Sequence, residues 1–376
     1  MLSALLVALV SLPQVSATDF QQELDALRSE AKLPALGAAL VTREHGLEHV
    51  WVSGTRRAGG SEAVTADDLW HLGSCTKAMT ATLVALLVER GDLSFERTLA
   101  EYFPELEDDL DSDFADLTLV ELMSHRAGLA GQSPWFGQPE FHDPSLTPTE
   151  VRERIAVLLL TEGPRLAPRK AFQYANDGFI LAGHIAERAT GKTWEELLRT
   201  LLFEPLGMTS AGFGAPGTAE RCDQPRGHGA DGKPVEPGPG SDNPPALGPA
   251  GTVHASLADW AKFARLHLAG AVGDVQVGAL TLRKATFERL HRSPYTDPAC
   301  GLGWVRETRD WAGGDGAMLW HNGSNTMWYC LVRLAPARGF ATLVTTNAYG
   351  PGPRAAVERA SELVLAEHER RAAEKR

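Results

Sequence analysis

The sequence predicts an α+β fold: an antiparallel sheet of about five strands, flanked by helices and interrupted by a mainly helical inserted region. Two strand-like runs, Gly37–Val41 and His49–Ser53, precede the helical middle. Three more, Leu302–Thr308, Met327–Leu334 and Phe340–Thr346, follow it. Strands and helices are thus segregated along the chain, which excludes a βαβ array. The length of 376 residues, 43% hydrophobic and 22% charged, suits one large domain. Residues 18–90 and 255–376 are assigned to the sheet region, and 91–254 to the inserted region.

Taken in order, the chain opens on an apolar run, Leu2–Leu12, that is too short to span a bilayer. Val15-Ser16-Ala17 then resembles a signal-peptidase site before Thr18. Residues 1–17 therefore read as a signal peptide and the protein as exported, periplasmic or extracellular. The usual basic start is missing, since the first Lys or Arg is Arg28. No later segment reads as a membrane span. Asp19–Ala31 is an amphipathic helix with Leu24, Leu27 and Ala31 on one face, stopped by Pro34. A turn at Glu44-His45-Gly46 joins the first two strands, and His45 and His49 on this hairpin face solvent rather than a metal.

The run from Ala78 to Val88 is apolar on nearly all sides, so its helix is buried; Gly91 supplies the C-terminal stop. Thr118–Met123 is a short helix, and Ser124-His125 reads as a structural turn, because adjacent side chains rarely face each other as a catalytic pair must. Gly131–Thr149 is a long loop, rich in Pro and aromatics, of the kind that borders sites. Val151–Leu160 is helical, as is the stretch striped by Phe179, Ala182, Ala186 and Ala189 and stopped by Gly191. Thr193–Glu196 is a capping box. Gly212–Gly251 is dense in Gly and Pro, an irregular excursion beside the site with a flexible middle. A capped helix begins at Ser256, and a last helix runs from about Arg354 to Arg371.

The net charge is −12, and no basic stripe with interleaved aromatics exists, which argues against nucleic acid as a partner. The four cysteines fit no zinc pattern, and neither metal nor cofactor is expected. Cys75 and Cys330 fall on buried elements and read as core thiols. Cys222 and Cys300 are the pair placed in loops, without strong reason to expect a disulfide.

The chemistry concentrates in three short patterns. Ser74 and Lys77 lie three apart at the start of the buried helix, which puts both on one face beside the free N–H groups of its first turn. A serine hydroxyl needs a base to become a nucleophile, and burial can lower a lysine pKa far enough to make it one. Alone, Ser-x-x-Lys is a weak signal. It is followed by Tyr174-Ala175-Asn176 and then by His321-Asn322-Gly323.

The order, separations and flanks of these patterns resemble the serine β-lactamase and penicillin-binding superfamily, in the branch of class C β-lactamases, D-Ala-D-Ala carboxypeptidases and esterases. Leu119–Leu129, Thr190-Gly191-Lys192, Pro205-Leu206-Gly207-Met208 and Pro249-Ala250-Gly251 also look like family segments, and the resemblance covers roughly Leu33–Asn347. It implies a β-lactamase/transpeptidase-like fold and a hydrolase that forms an acyl-enzyme on a small-molecule ester, amide or D-amino acid peptide. Ser74 would be the nucleophile, with Lys77 and Tyr174 sharing the proton traffic. Asn176 would hold the substrate amide and steady Lys77. The oxyanion hole would be the backbone N–H groups of Ser74 and Ser324, with Gly323 letting substrate approach the strand. His321 stands where class C β-lactamases carry lysine. That removes a fixed positive charge and speaks against efficient β-lactam hydrolysis. Arg306 and Arg309 could bind a carboxylate, but read better as surface charges. A catalytically silent, penicillin-binding-like protein is the remaining alternative, and the complete Ser, Lys, Tyr and Asn set argues against it.

Overall fold

The computed structural model describes residues 20–129, 133, 135–162, 171–292, 295 and 300–374. The signal-peptide assignment at 1–17 lies outside the described residues. The five expected strands are present, and a sixth joins them. In sheet order they are Val305–Thr308, Ala317–Gly323, Tyr329–Ala335, Phe340–Thr346, Ala35–Thr42 and Gly46–Gly54, antiparallel throughout. The extra strand, Ala317–Gly323, follows Gly313, Gly314 and Gly316 and ends in Trp320-His321-Asn322-Gly323. Glycines at its entry and polar residues at its exit hide the alternation that marks a strand.

The sheet is covered on both faces, which is why its central strands read as continuous apolar runs. Leu36, Ala38, Leu40, Leu331 and Val344 pack against Leu24 and Leu27 of the Phe20–Glu30 helix and Val357 and Val364 of the Pro351–Glu374 helix. Ala35, Ala39, Val41, Val332 and Leu343 face the other way, into the main core shared with the Leu257–Gly270 and Thr76–Glu89 helices. Among the described residues no helix is long and apolar enough to cross a membrane.

The inserted region packs around Thr76–Glu89. From Trp70 to Leu87 every residue is buried except Ser74. Capping boxes open the helices at Thr147–Glu150 and Thr193–Glu196, each satisfying two N–H groups that would otherwise lack partners. The second of these helices passes through a π-turn, Arg199–Phe203, and stops at Gly207 with φ +65°. Buried Arg152 donates to Glu187, Glu195 and the Pro245 carbonyl, and so ties the end of the Gly/Pro-rich excursion to three helices, its own included. All four cysteines are free: Cys222 is half-buried, whereas Cys75, Cys300 and Cys330 are buried.

Candidate active site

Ser74 occupies a 3-10 turn, Gly73–Cys75, immediately before the α-helix that starts at Thr76. Lys77 is the second residue of that helix and is fully buried. Its Nζ donates to Ser74 Oγ at 3.1 Å, Asn176 Oδ1 at 2.8 Å and the Ala250 carbonyl at 2.8 Å. Tyr174 Oη donates to the same Ser74 Oγ at 2.7 Å. The hydroxyl, amine and phenol of distant segments thus converge on one oxygen. Asn176 is the N-cap of the Asp177–Thr190 helix, yet its side chain makes no capping bond. Its carboxamide is free to hold Lys77.

Burial drives the proton affinities apart. It lowers the Lys77 ammonium to about 7, far below a lysine in water. It raises the Tyr174 phenol, so that this group keeps its proton at neutral pH. A neutral amine has two N–H bonds and one lone pair. Once the amine is neutral, Asn176 Oδ1 and the Ala250 carbonyl, which can only accept, take its two N–H groups, and the position that donates to Ser74 Oγ in the ammonium is left as a lone pair.

His321 is buried as well, and burial, with Lys77 nearby, lowers its imidazole to about 4. It is neutral at physiological pH and supplies no cation where class C enzymes carry lysine. Arg306 and Arg309 pair with Asp315 and Glu307, each at 2.6 Å, as surface charges.

Two glycines bring the Ser74 turn against the His321 strand. A Cβ on Gly323 would overlap the Leu72 carbonyl oxygen and lie 2.8 Å from Ser74 N. One on Gly73, whose φ is +45°, would overlap Ser324 N. The N–H groups of Ser74 and Ser324 are therefore neighbours. Contrary to the sequence-based expectation, the space a side chain would need at Gly323 is taken by protein backbone, not left for substrate.

Several participants escaped the sequence reading. Ala250 contributes a carbonyl, which no residue type advertises. His125 does form a structural turn, with φ +61°, but it also sits under Tyr174, ring centroids 4.5 Å apart. Its Nδ1 accepts the Ala175 N–H at 3.2 Å, and its own carbonyl accepts the Gln173 N–H at 2.9 Å. His125 thus fixes both ring and backbone of Tyr174. His125→Ala should lower kcat for p-nitrophenyl acetate by about ten-fold, with KM little changed and the far-UV circular dichroism intact. Asp177 is buried beside Asn176 and accepts from Ser133 Oγ at 2.6 Å and Trp135 Nε1 at 3.0 Å, so it anchors the aromatic loop next to the site. A cavity of about 440 Å³ opens between that loop and the excursion, lined by Phe141, Leu146, Val151, Asp242, Pro244 and Ala246. Among the described residues, no group of three or more His, Cys, Asp or Glu could hold a metal.

The family model described as Beta-lactamase matches residues 20–367. Penicillin-binding protein 4 of Amycolatopsis lactamdurans is 31% identical over 337 residues, which cover 87% of this chain and 84% of that protein. Unguisins hydrolase ungD' of Aspergillus campestris is 27% identical over 76% of this chain and 53% of its own length. Among solved structures, the D-alanine carboxypeptidase AmpC of Burkholderia cenocepacia superposes with a TM-score of 0.70 at 20% identity, over 93% of this chain and 97% of that one, a likeness of fold alone. With the family model spanning nearly the whole chain, this protein belongs to the beta-lactamase family of the serine hydrolase superfamily.

Proposed function

We propose that the protein hydrolyses esters or amides through an acyl-enzyme on Ser74, with Lys77 as base and Tyr174 as acid. The observation that carries this reading is the convergence of Lys77 Nζ and Tyr174 Oη on Ser74 Oγ, with Asn176 Oδ1 and the Ala250 carbonyl taking the other two bonds of Nζ. Lys77 takes the Ser74 proton as Oγ bonds to the substrate carbonyl carbon. The carbonyl oxygen becomes negative and is held by the N–H groups of Ser74 and Ser324. As the tetrahedral centre collapses, the bond to the leaving group breaks and Tyr174 protonates the departing oxygen or nitrogen. Lys77 returns its proton to Tyr174. Water then retraces the path: its oxygen bonds to the acyl carbon as the pair takes its proton, and the Oγ–acyl bond breaks as that proton returns to Ser74 Oγ.

Burying the amine is what makes this division of labour work. The buried phenol stays protonated at neutral pH and so holds a proton to give rather than a site to take one, whereas a lysine near 7 is half-deprotonated there.

The neutral His321 favours substrates that do not need a cation beside a carboxylate. Short-chain p-nitrophenyl esters should therefore be cleaved readily. Cephalosporins should turn over with kcat/KM far below the ~10⁷ M⁻¹s⁻¹ of fast enzymes. A side-by-side kinetic screen of esters, a cephalosporin and a D-Ala-D-Ala peptide tests this. Cephalosporin turnover near that ceiling, with esters inert, would refute the substrate assignment. A D-amino acid peptidase is the second reading, favoured by the 31% identical relative named as a penicillin-binding protein. Preferential cleavage of the peptide in the same screen would select it.

A further inference from the structure

We propose that Asp242, acting through His71 and Asn325, sets the spacing of the two backbone N–H groups of the oxyanion hole. The inference rests on the acyl-enzyme reading above and adds to it a residue that positions the hole through His71 and Asn325. Asp242 lies on the Gly/Pro-rich excursion, far in sequence from both halves of the hole. Its side chain is only 7% exposed, and Oδ1 lies 2.7 Å from Nε2 of His71, whose side chain is wholly buried. The opposite ring nitrogen, Nδ1, accepts the Gly73 N–H at 3.1 Å. An accepting Nδ1 carries no proton, so the proton-bearing ring nitrogen is Nε2, which lies against the carboxylate as a close polar contact rather than an aligned hydrogen bond.

The same Oδ1 accepts from Asn325 Nδ2 at 3.0 Å and from the Asn243 N–H at 2.7 Å. Asn325 also donates to the Ser241 carbonyl at 3.4 Å and accepts the Met327 N–H at 3.2 Å, which orients its carboxamide. One buried carboxylate oxygen therefore grips the residue before Ser74, through His71, and the residue after Ser324, directly.

The backbone it holds includes one strained position: Thr326, a β-branched residue, has φ +70°, whereas the φ of +45° at Gly73 is one that glycine adopts freely. A strained position persists where the surroundings over-determine it. The excursion is independently secured: Asn243 Nδ2 donates to the Gly251 carbonyl at 2.8 Å, and Arg152 donates to the Pro245 carbonyl at 3.1 Å. Asp242 is thus presented from a fixed support. Donors of an oxyanion hole must sit within a few tenths of an ångström of their working distance, and a misplacement near 1 Å costs about 10²-fold in rate.

The test compares wild type, Asp242→Ala, Asp242→Asn and Asn325→Ala with p-nitrophenyl acetate as substrate and phenylboronic acid as inhibitor. A boronate bonded to Ser74 Oγ is tetrahedral and places an oxygen in the hole, so a change in its Ki between variants that keep Ser74, Lys77 and Tyr174 reports on the hole. We expect Asp242→Ala to lose about 10²-fold in kcat with KM within about two-fold, and the boronate Ki to rise in step with KM/kcat across the series. Asp242→Asn keeps an accepting oxygen for Asn325 and Asn243 and should recover most of the loss, which a merely stabilising role would not predict at equal folded fraction. Should Asp242→Ala fail to fold, Asp242→Asn and Asn325→Ala carry the same correlation. Unchanged kcat and boronate affinity in the variants, or a loss confined to KM, would overturn the proposal. Wild type that takes boronate on Ser74 beside unaffected variants would sink only this tie. Wild type that takes none would sink the acyl-enzyme reading with it.

Discussion

Lys77→Met should lower kcat/KM for p-nitrophenyl acetate by about 10⁴-fold, the upper range for loss of a general base. Methionine matches the length of lysine and tolerates the buried site, so the variant removes the amine and little volume. Ser74 Oγ is then left with Tyr174, which burial keeps protonated at neutral pH and so unable to take the serine proton. Lys77→Arg should not rescue, because a guanidinium stays charged at any workable pH. In wild type log kcat/KM should climb with pH up to about 7 and then level off, as the ammonium loses its proton. The residual rate of Lys77→Met should lack that step. A linked effect appears in stability. Lys77 deprotonates near 7 when folded and near ~10.4 when unfolded. Between these values the unfolded chain binds the extra proton, so stability rises with pH across that window. Thermal unfolding at several pH values should show this rise in wild type and a shallower one in Lys77→Met.

Gly323→Val should cost about 10²- to 10³-fold in kcat, the magnitude typical of losing one oxyanion donor. The added side chain would drive into the Leu72 carbonyl and toward Ser74 N, pushing the turn away from the strand. Lys77, Tyr174 and Asn176 are placed by other elements, so KM should change little. Stopped-flow measurement of the acylation step checks this. A loss confined to deacylation would show that the hole survives.

Much of the fold was legible because its physics is local. A sheet buried on both faces must be written in apolar runs, and the strands at Gly37–Val41, His49–Ser53, Met327–Leu334 and Phe340–Thr346 are. Thr193 and Glu196 announce a helix start by chemistry alone. Ser74 and Lys77 could be paired because three residues along a helix start is a fixed geometry. Other features depend on distant backbone. Ala317–Gly323 is a strand because its neighbours supply hydrogen bonds, not because its residues alternate. The Ala250 carbonyl has no sequence signature. Sequence marks His125 only as part of a structural turn, and its place under Tyr174 is set by tertiary packing. Asp242 sits in a Gly/Pro-rich stretch that composition assigns to a loop, and only the fold reveals that the loop reaches His71 and Asn325.

The central claim is that one hydroxyl, Ser74 Oγ, carries the acyl group. Intact-protein mass spectrometry after rapid quenching with a p-nitrophenyl ester, followed by peptide mapping, tests it most directly. The account predicts a mass gain equal to the acyl group, located on the peptide containing Ser74 and absent from folded Ser74→Ala, which also loses ester hydrolysis. An adduct on another residue, or full turnover by folded Ser74→Ala, would contradict it.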